Sequence, residues 1–243
     1  MSVTIGQGKK ISLEEFVRVT FYAQTVVLAG GEAAPTKTSS ALTNWTDSVG
    51  KDSYTARTVC RAGLLCRASS YAQVRNVNPT VVKFLVALLN ANVTPAFTTP
   101  ENAGNELVSF LSGNGFGYGE AGDSLIPASE GLALAKLAPL QLTAEVAEEL
   151  KAYPFLTIGL GGVLAAASTN LIRIVDCVTA LSCEAAGSGV DSYDATNFEI
   201  SRPHRGQMQS ASNLRLLLDG SKRIGTIAKD KRAQVVSLQS APQ

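Results

Sequence analysis

The chain contains a single histidine and only four cysteines among its 243 residues. Cys60 and Cys66 stand six residues apart, as do Cys177 and Cys183, whereas zinc knuckles use gaps of about two to four residues. On a helix, six residues turn through about 600°, so the members of each pair point to different faces. We therefore predict free, mostly buried thiols in a reducing cytoplasmic compartment and no metal site, with His204 as the only imidazole.

Charge is also scarce, because charged residues make up 17% of the chain and the net charge is +1. A protein that binds nucleic acid usually shows a basic excess, so this balance argues against such a partner. One basic cluster is interrupted by Asp230 and is typical of a solvated helix end. Its members are Lys222, Arg223, Lys229, Lys231 and Arg232.

One long stretch lacks charge altogether: Tyr153–Ile172 contains 20 residues with no charged side chain. That length could span a bilayer, but Pro154 and three glycines lower its hydrophobicity. A helix that is apolar all round in a soluble protein is a core helix, and we predict that role and no membrane. The chain opens on MSVTIGQGKK, which has a polar start without the apolar core of a signal peptide.

The remaining pattern is helical. Ser12 and Glu15 form a capping box before a helix that we expect to run to Gly30-Gly31, and Asn78-Pro79 opens another helix that ends near 90–92. Further helices are predicted at 55–73, 129–137, 143–152, 157–186 (closed by Gly187) and 206–218 (closed by Gly220). Residues 30–53 are expected to be a loop, and Gly113, Gly115, Gly117 and Gly119 a flexible loop.

We find no internal repeat and no alternating run long enough for a sheet. The predicted class is all-α, with long helices in a bundle, and the predicted organisation is a single helical domain over residues 1–243.

Four segments of the last third carry a family resemblance: LSCEAAGS (Leu181–Ser188), DSYD (Asp191–Asp194), RPHRGQ (Arg202–Gln207) and NLRLLLDGS (Asn213–Ser221). Upstream, Arg61–Pro95 ends in LLNANVTP, and the chain closes on SLQSAPQ. These segments resemble the histidine/phenylalanine ammonia-lyase family. The resemblance covers about residues 11–25 and 55–243 and corresponds to the N-terminal half of a family chain.

The groups that the family's chemistry requires are missing. The resemblance implies an electrophile made from an Ala-Ser-Gly tripeptide, whose serine hydroxyl leaves as water. One alignment places that tripeptide at Asn102-Ala103-Gly104 and another at Glu120-Ala121-Gly122, and both put alanine where serine is needed. The family's catalytic tyrosine loop, the asparagine now at Leu160, and the Tyr and Arg now at Val236 and Gln239 are also lost. We predict no cofactor and no ammonia-lyase activity.

The pocket is the part of the family site that could remain. The resemblance places it where the tripeptide loop, the start of the core helix and loops of neighbouring subunits meet. The candidate catalytic residues are Glu101, Glu106 and Tyr118. The candidate substrate-binding residues are Asn102, Asn105, Tyr153, Phe155, Leu160 and Gln239. Leu160 and Gln239 replace polar and cationic groups, so an apolar or weakly polar ligand fits better than an amino-acid carboxylate.

Three functions remain open. The favoured one is a repurposed scaffold that catalyses a cofactor-free ring closure or isomerisation of an apolar intermediate in specialised (natural-product) metabolism, mainly by holding a reactive conformer. The alternatives are a non-catalytic subunit of a separately encoded lyase-like chain, and a small-molecule binder without chemistry. Because the family assembles as tetramers through its long helices, the resemblance also implies a homo-oligomer, and we expect a homodimer.

Overall fold

The computed structural model describes residues 2–30, 52–73, 78–119, 125–201, 203–226 and 242. The predicted loop at 30–53 therefore lies almost entirely outside the described residues. The helices are α1 Leu13–Tyr22, α2 Asp52–Tyr71, α3 Pro79–Asn90, α4 Ala103–Leu111, α5 Ala128–Leu134, α6 Ala144–Ala152, α7 Phe155–Ala186 and α8 Arg205–Leu218. A 3₁₀ turn at Asp191–Tyr193 and a π-helical turn at Thr196–Ile200 separate α7 from α8. The all-α prediction is confirmed.

The predicted helix starts are confirmed where a side chain caps the helix. The Ser12 hydroxyl accepts a bond from the Glu15 amide, and the Glu15 carboxylate accepts one from the Ser12 amide. The Asn78 side chain accepts from the Thr80 amide at 2.9 Å, with Pro79 in the first turn. At the far end of α7, Gly187 adopts a φ of 65°. These local signals depend on neighbours in sequence, so they can be read without the fold.

Two small sheets were not predicted. Strand β1 (Val3–Ile5) pairs in parallel with β2 (Val26–Leu28), so the expected helix to Gly30 is wrong. Helix α1 ends instead at Tyr22, where Ala23 turns left-handed with a φ of 49° and sends the chain back toward β1. The competing factor is tertiary, because Val26 is wholly buried beside β1 and gains more from that packing than from one further helical turn.

The glycine-rich segment is also ordered, which corrects the prediction of a flexible loop. Strands β3 (Thr94–Pro95), β4 (Phe116–Tyr118) and β5 (Leu125–Pro127) form an antiparallel sheet in that order. A Cβ at Gly117 would lie 2.5 Å from the Phe110 ring and 2.7 Å from the Thr94 carbonyl oxygen. The glycine is therefore required by close packing of the strand on α4.

The chain divides into two compact units, residues 1–166 and 167–243. The apolar core of the first unit is built mainly from α1, α2, α3 and α4. The second unit has a smaller core of Ala180, Cys183, Tyr193, Phe198, Ala211, Leu214 and Leu218. Helix α7 contributes its first 12 residues to the first unit and the remainder to the second. The expected single domain stays a prediction.

A buried guanidinium ties the helices of the first unit together. Arg61 on α2 donates from Nε to the Val19 carbonyl oxygen of α1 at 2.6 Å and from a terminal nitrogen to Asn92 Oδ1 at 2.9 Å. Its burial lowers the pKa of the guanidinium to about 9. The sequence gave no sign that this arginine would be internal, because its pattern places it on a stripe that only the packing of α1 and the β3 turn identifies as core.

Helix α7 approaches α2 so closely that backbone meets backbone. A Cβ added to Gly63 would lie 2.4 Å from the Phe155 carbonyl oxygen, and one added to Gly159 would lie 2.4 Å from the Val59 carbonyl oxygen. Paired glycines on facing helices permit this approach. The contact fixes the start of α7, and with it the position of Phe155, in the first unit.

The apolar surface of α7 is largely uncovered in the described chain. Its exposed large side chains are Leu160, Leu164, Leu171, Ile172, Ile174, Val175, Val178 and Leu181. The expectation of uncovered apolar faces is confirmed, and that of a helix wrapped on all sides is wrong for this chain. One continuous helical run, Ala144–Ala186, is long and apolar enough to cross a membrane by length and composition alone.

Candidate functional site

A cleft of about 180 Å³ lies in the first unit, between the start of α4 and the junction of α6 with α7. The chain bends there because Tyr153 is extended after α6 and Pro154 precedes the first residue of α7. The lining residues are Pro100, Glu101, Ala103, Gly104, Lys151, Ala152, Tyr153, Pro154, Phe155, Leu156 and Thr157. Only Glu101, Tyr153 and Phe155 of the predicted site residues are among them.

Glu101 is the carboxylate at this cleft. It is exposed at the end of the segment before α4. Hydrogen bonds from its own backbone amide and from the Thr99 side chain lower the pKa of the Glu101 carboxyl below its usual range. At neutral pH the group is therefore ionised, so it could accept a proton from a ligand but could not supply one.

Glu106 does not share the cleft, although the sequence places it five residues from Glu101. Its two carboxylate oxygens accept hydrogen bonds from the Thr98 amide at 3.0 and 3.1 Å, and one also accepts from the Thr98 hydroxyl. These bonds tie the start of α4 to the turn before it. A carboxylate held by its own chain in this way has a structural role, and the geometry does not support a catalytic one.

The other predicted residues are dispersed. Tyr118 lies half-buried on β4, Asn102 and Asn105 are exposed at the start of α4, and Leu160 is 41% exposed on α7. None of these four lines the cleft. Gln239 lies outside the described residues, so its predicted role is untested. Sequence spacing grouped these positions because it could not tell which face of each element turns toward the α6–α7 bend.

Two aromatic residues form the back of the cleft. Phe155 is buried and meets Phe97 edge-on, with 5.0 Å between ring centroids. Tyr153 is half-buried, and burial raises the pKa of its hydroxyl, so it is neutral at physiological pH. This wall is suited to apolar or aromatic groups of a ligand.

An arginine that sequence reasoning missed holds Tyr153 in place. The guanidinium carbon of Arg67 lies 4.2 Å from the centroid of the Tyr153 ring and 3.7 Å from that of Tyr71. Arg67 also donates to the Glu149 carbonyl oxygen at 2.8 Å and to the Tyr71 hydroxyl at 2.6 Å. This cation–π sandwich joins α2 to the end of α6. The signal in the sequence was the apolar setting of Arg67, which does not by itself reveal a stacking partner.

The described tripeptide position does not fit the family's electrophile. Ala103 is buried as the first residue of α4 and carries a methyl group where a leaving hydroxyl would be needed. Gly104 packs on α6, since a Cβ there would lie 2.6 Å from the Lys151 carbonyl oxygen. The second alignment, at 120–122, falls outside the described residues. No group at residues 102–104 can leave to create the exocyclic methylene.

Comparison with known proteins places this geometry in a family context. The model of the family "Aromatic amino acid lyase" matches residues 32–243. Histidine ammonia-lyase of Gloeobacter violaceus is 33% identical over 197 residues, which cover 77% of this chain and 38% of that protein. Tyrosine ammonia-lyase of Cupriavidus metallidurans is 28% identical over 182 residues, covering 72% of this chain and 33% of that protein.

Solved structures agree on the fold. Tyrosine aminomutase from Streptomyces globisporus superposes with a TM-score of 0.73 at 19% identity, covering 98% of this chain and 52% of that one. Phenylalanine ammonia-lyase from Rhodosporidium toruloides gives a TM-score of 0.70 at 17% identity, covering 100% of this chain and 43% of that one. The chain thus spans about half of these solved chains and less than two fifths of the length of the two relatives above.

Proposed function

Because the chain belongs to the aromatic amino acid lyase family and the described part of its cleft lacks the family's electrophile, we propose that it is a non-lyase subunit. Its role is to assemble with chains of the same fold through the exposed apolar face of α7. The observation that carries this proposal is a row of six apolar residues, which we call the α7 stripe. Its members are Ala167, Leu171, Ile174, Val178, Leu181 and Ala185.

Every residue of the α7 stripe is exposed, and Leu171 and Leu181 are 60% and 67% accessible. Single exposed apolar residues are common on soluble proteins, but a contiguous row of them marks a surface that another molecule covers. Burying such a row releases about 25 cal/mol for each Å² of apolar surface. Exposure of the stripe in a lone chain is therefore unfavourable, and association removes it from water.

The opposite face of the same helix is already occupied. Asp176, buried on that face, accepts hydrogen bonds from the Ser210 hydroxyl and from Asn213 Nδ2 of α8, the latter at 2.8 Å. Ala180 and Cys183 are buried in the core of the second unit. The stripe is thus a second apolar face, separate from the face that holds this unit together.

Light scattering at several protein concentrations tests this proposal, and we expect an oligomer that dissociates on dilution. Leu181→Glu on the stripe should weaken association at least tenfold, because a charge would have to be desolvated. Leu216→Glu on α8 is the matched control, since Leu216 is 72% exposed and lies off the stripe. A wild-type protein that stays monomeric at high concentration would contradict the proposal.

A second function is favoured by a different observation, the meeting of Glu101, Tyr153 and Phe155 at one cleft. In this candidate, the chain is a cofactor-free cyclase or isomerase that acts on an apolar intermediate of specialised metabolism. The ionised Glu101 accepts a proton, the neutral Tyr153 hydroxyl polarises the substrate, and the aromatic wall selects a folded conformer. The cleft volume lies below the roughly 300–1,000 Å³ of sites for drug-sized ligands, so the substrate would be small or partly exposed.

Native mass spectrometry of the protein purified from its producing cells tests the second candidate. We expect a small, uncharged adduct, and turnover of that compound should fall at least tenfold in Glu101→Gln. Glu148→Gln, an exposed carboxylate outside the cleft, is the control. Full turnover in Glu101→Gln would remove the carboxylate from the reaction. Ultraviolet detection of cinnamate or urocanate from phenylalanine or histidine would contradict the absence of lyase chemistry.

A further inference from the structure

The α7 stripe has a symmetry that its exposure alone does not require. Its residues follow one another at steps of four, three, four, three and four. This alternation is the a/d spacing of two helices that pack knobs into holes. The order Ala, Leu, Ile, Val, Leu, Ala also reads the same by size in both directions, about a centre at residue 176.

A stripe that is symmetric end to end is complementary to an inverted copy of itself. In an antiparallel pair centred at residue 176, Leu171 packs against the partner's Leu181, and Ile174 packs against the partner's Val178. The small Ala167 meets the partner's Ala185, so the ends of the contact match as well as the middle. Such a contact uses the same patch on both copies and closes as a two-fold dimer.

We infer that the occupant of the stripe is a second copy of this chain, with the two α7 helices antiparallel about an axis near residue 176. This inference rests on the association proposed above and specifies its partner and geometry. A flat apolar surface, such as a bilayer, would not require the matched order of residue sizes. Antiparallel pairing also sets opposite helix dipoles side by side, whereas parallel pairing would align like ends.

The electrostatics of the surface are compatible with this pairing. No stripe residue is charged, and the residues that flank its centre, Val175 and Cys177, are uncharged as well. Asp176 at the centre points to the other face, where Ser210 and Asn213 bind it. No unpaired charge is therefore removed from water when the stripes meet.

The area sets the expected strength. Specific interfaces bury roughly 30–40 Å² for each contributing residue. Counting the stripe with its six flanking residues, an α7 pair removes roughly 800 Å² in total, below the range of about 1,200–2,000 Å² for stable complexes. We therefore expect a reversible, concentration-dependent dimer from this contact.

Antiparallel geometry makes specific predictions for the flanks. In an antiparallel pair, equivalent flanking positions face each other, so Cys177 lies opposite the partner's Cys177 and Ser168 lies opposite the partner's Ser182. In a parallel, in-register pair, Cys177 would instead face the partner's Ser182. Cys177 is exposed, whereas Cys60 and Cys183 are buried and Cys66 is half-buried. The natural chain thus carries a reporter cysteine beside the proposed axis.

A short bis-maleimide linker applied to the wild-type protein tests the inference. We expect a covalent dimer on denaturing gels, joined through Cys177 in both chains by peptide mapping, and none with Cys177→Ser. A second pair of variants, Ser168→Cys with Cys177→Ser and Ser182→Cys with Cys177→Ser, should cross-link when the two proteins are mixed. Each alone should cross-link at least fivefold less.

The possible outcomes separate the inference from the function on which it rests. A dimer that cross-links Cys177 to a cysteine at 182, but not Cys177 to Cys177, would be parallel and would overturn the inference while leaving assembly intact. An assembly only with a different chain, or stripe-dependent sedimentation with phosphatidylcholine vesicles, would also overturn it. A wild-type monomer at all concentrations would remove both the proposed assembly and its geometry.

Discussion

Helix α3 and the second half of α7 are both rich in valine, leucine and isoleucine, yet they meet opposite environments. Seven of the 12 residues of α3 are large and buried, and Leu85, Leu88 and Leu89 are fully inaccessible. In α7, Leu171, Ile174 and Leu181 are each more than half exposed. The apolar side chains of α3 find their partners within the chain, in α2 and β2. The stripe of α7 has none among the described residues.

The difference shows that apolar composition fixes the need for cover but does not identify what covers it. Burial in α3 stabilises the folded chain directly, since each large side chain removed from water contributes about 1.5–3 kcal/mol. The same residues on the α7 stripe contribute little to a single chain. They contribute to stability only when a second molecule arrives, so their effect should depend on protein concentration.

The largest effect is expected from truncating matched leucines in the two helices. Leu85→Ala should lower the free energy of unfolding by about 2–5 kcal/mol, because it leaves a cavity in a closed core. Leu171→Ala should change it by less than about 0.5 kcal/mol. Urea unfolding at concentrations below the dissociation constant of the assembly measures both. Equal losses in the two variants would mean that the stripe is covered within the chain.

A matched pair of glycines sharpens the comparison at the start of α7. Gly63→Ala should destabilise the protein by about 1–3 kcal/mol, because its Cβ would lie 2.4 Å from the Phe155 carbonyl oxygen. Gly161→Ala meets nothing within 4 Å and should stabilise the helix by about 0.5–1 kcal/mol. Thermal unfolding followed by circular dichroism separates the two. Similar behaviour would show that α2 and α7 are further apart than described.

Two serines distinguish the faces of α7 in the second unit. Ser210→Ala removes a hydrogen bond to the buried Asp176 carboxylate and should lower the free energy of unfolding by about 1–3 kcal/mol. Ser168→Ala on the exposed side should change it by less than about 0.5 kcal/mol. Urea titration provides the values, and light scattering should show unchanged association in Ser210→Ala. An inert Ser210→Ala would mean that Asp176 has another donor.

The smallest expected effect is on the pH dependence at the α1 cap. Hydrogen bonds from the Lys9 ammonium and the Ser12 amide lower the pKa of Glu15 from near 4.5 to about 2. Since the folded pKa is the lower one, the stabilisation is present above pH 4.5 and is lost as the pH falls toward 2. Glu15→Gln should flatten the stability curve in this window. Glu14→Gln, next to it but outside the capping box, is the control, and an unchanged curve in Glu15→Gln would contradict the assignment.

The site was only partly predictable from sequence. Three of the nine named residues meet at the cleft, because the tripeptide position and the start of the core helix follow from motifs close to each in sequence. Glu101 and Glu106 are the same residue type in the same segment, but one is exposed at the cleft and the other is tied to Thr98. Arg67 escaped notice because its partners, Tyr71 and Tyr153, converge only through the packing of α2 on α6.

The sequence by itself determined the helical class, the capped starts of α1, α3 and α6, the end of α7 at Gly187, and the family, because caps and motifs act over a few neighbouring residues. Only the tertiary structure decided that Val26–Leu28 forms a strand, that Gly117 lies in a sheet, and which apolar faces are covered. Pairing and burial are properties of what lies opposite a residue, and neighbours in space are not written in local order. For the α7 stripe, we propose that the neighbour in space is a second copy of the chain.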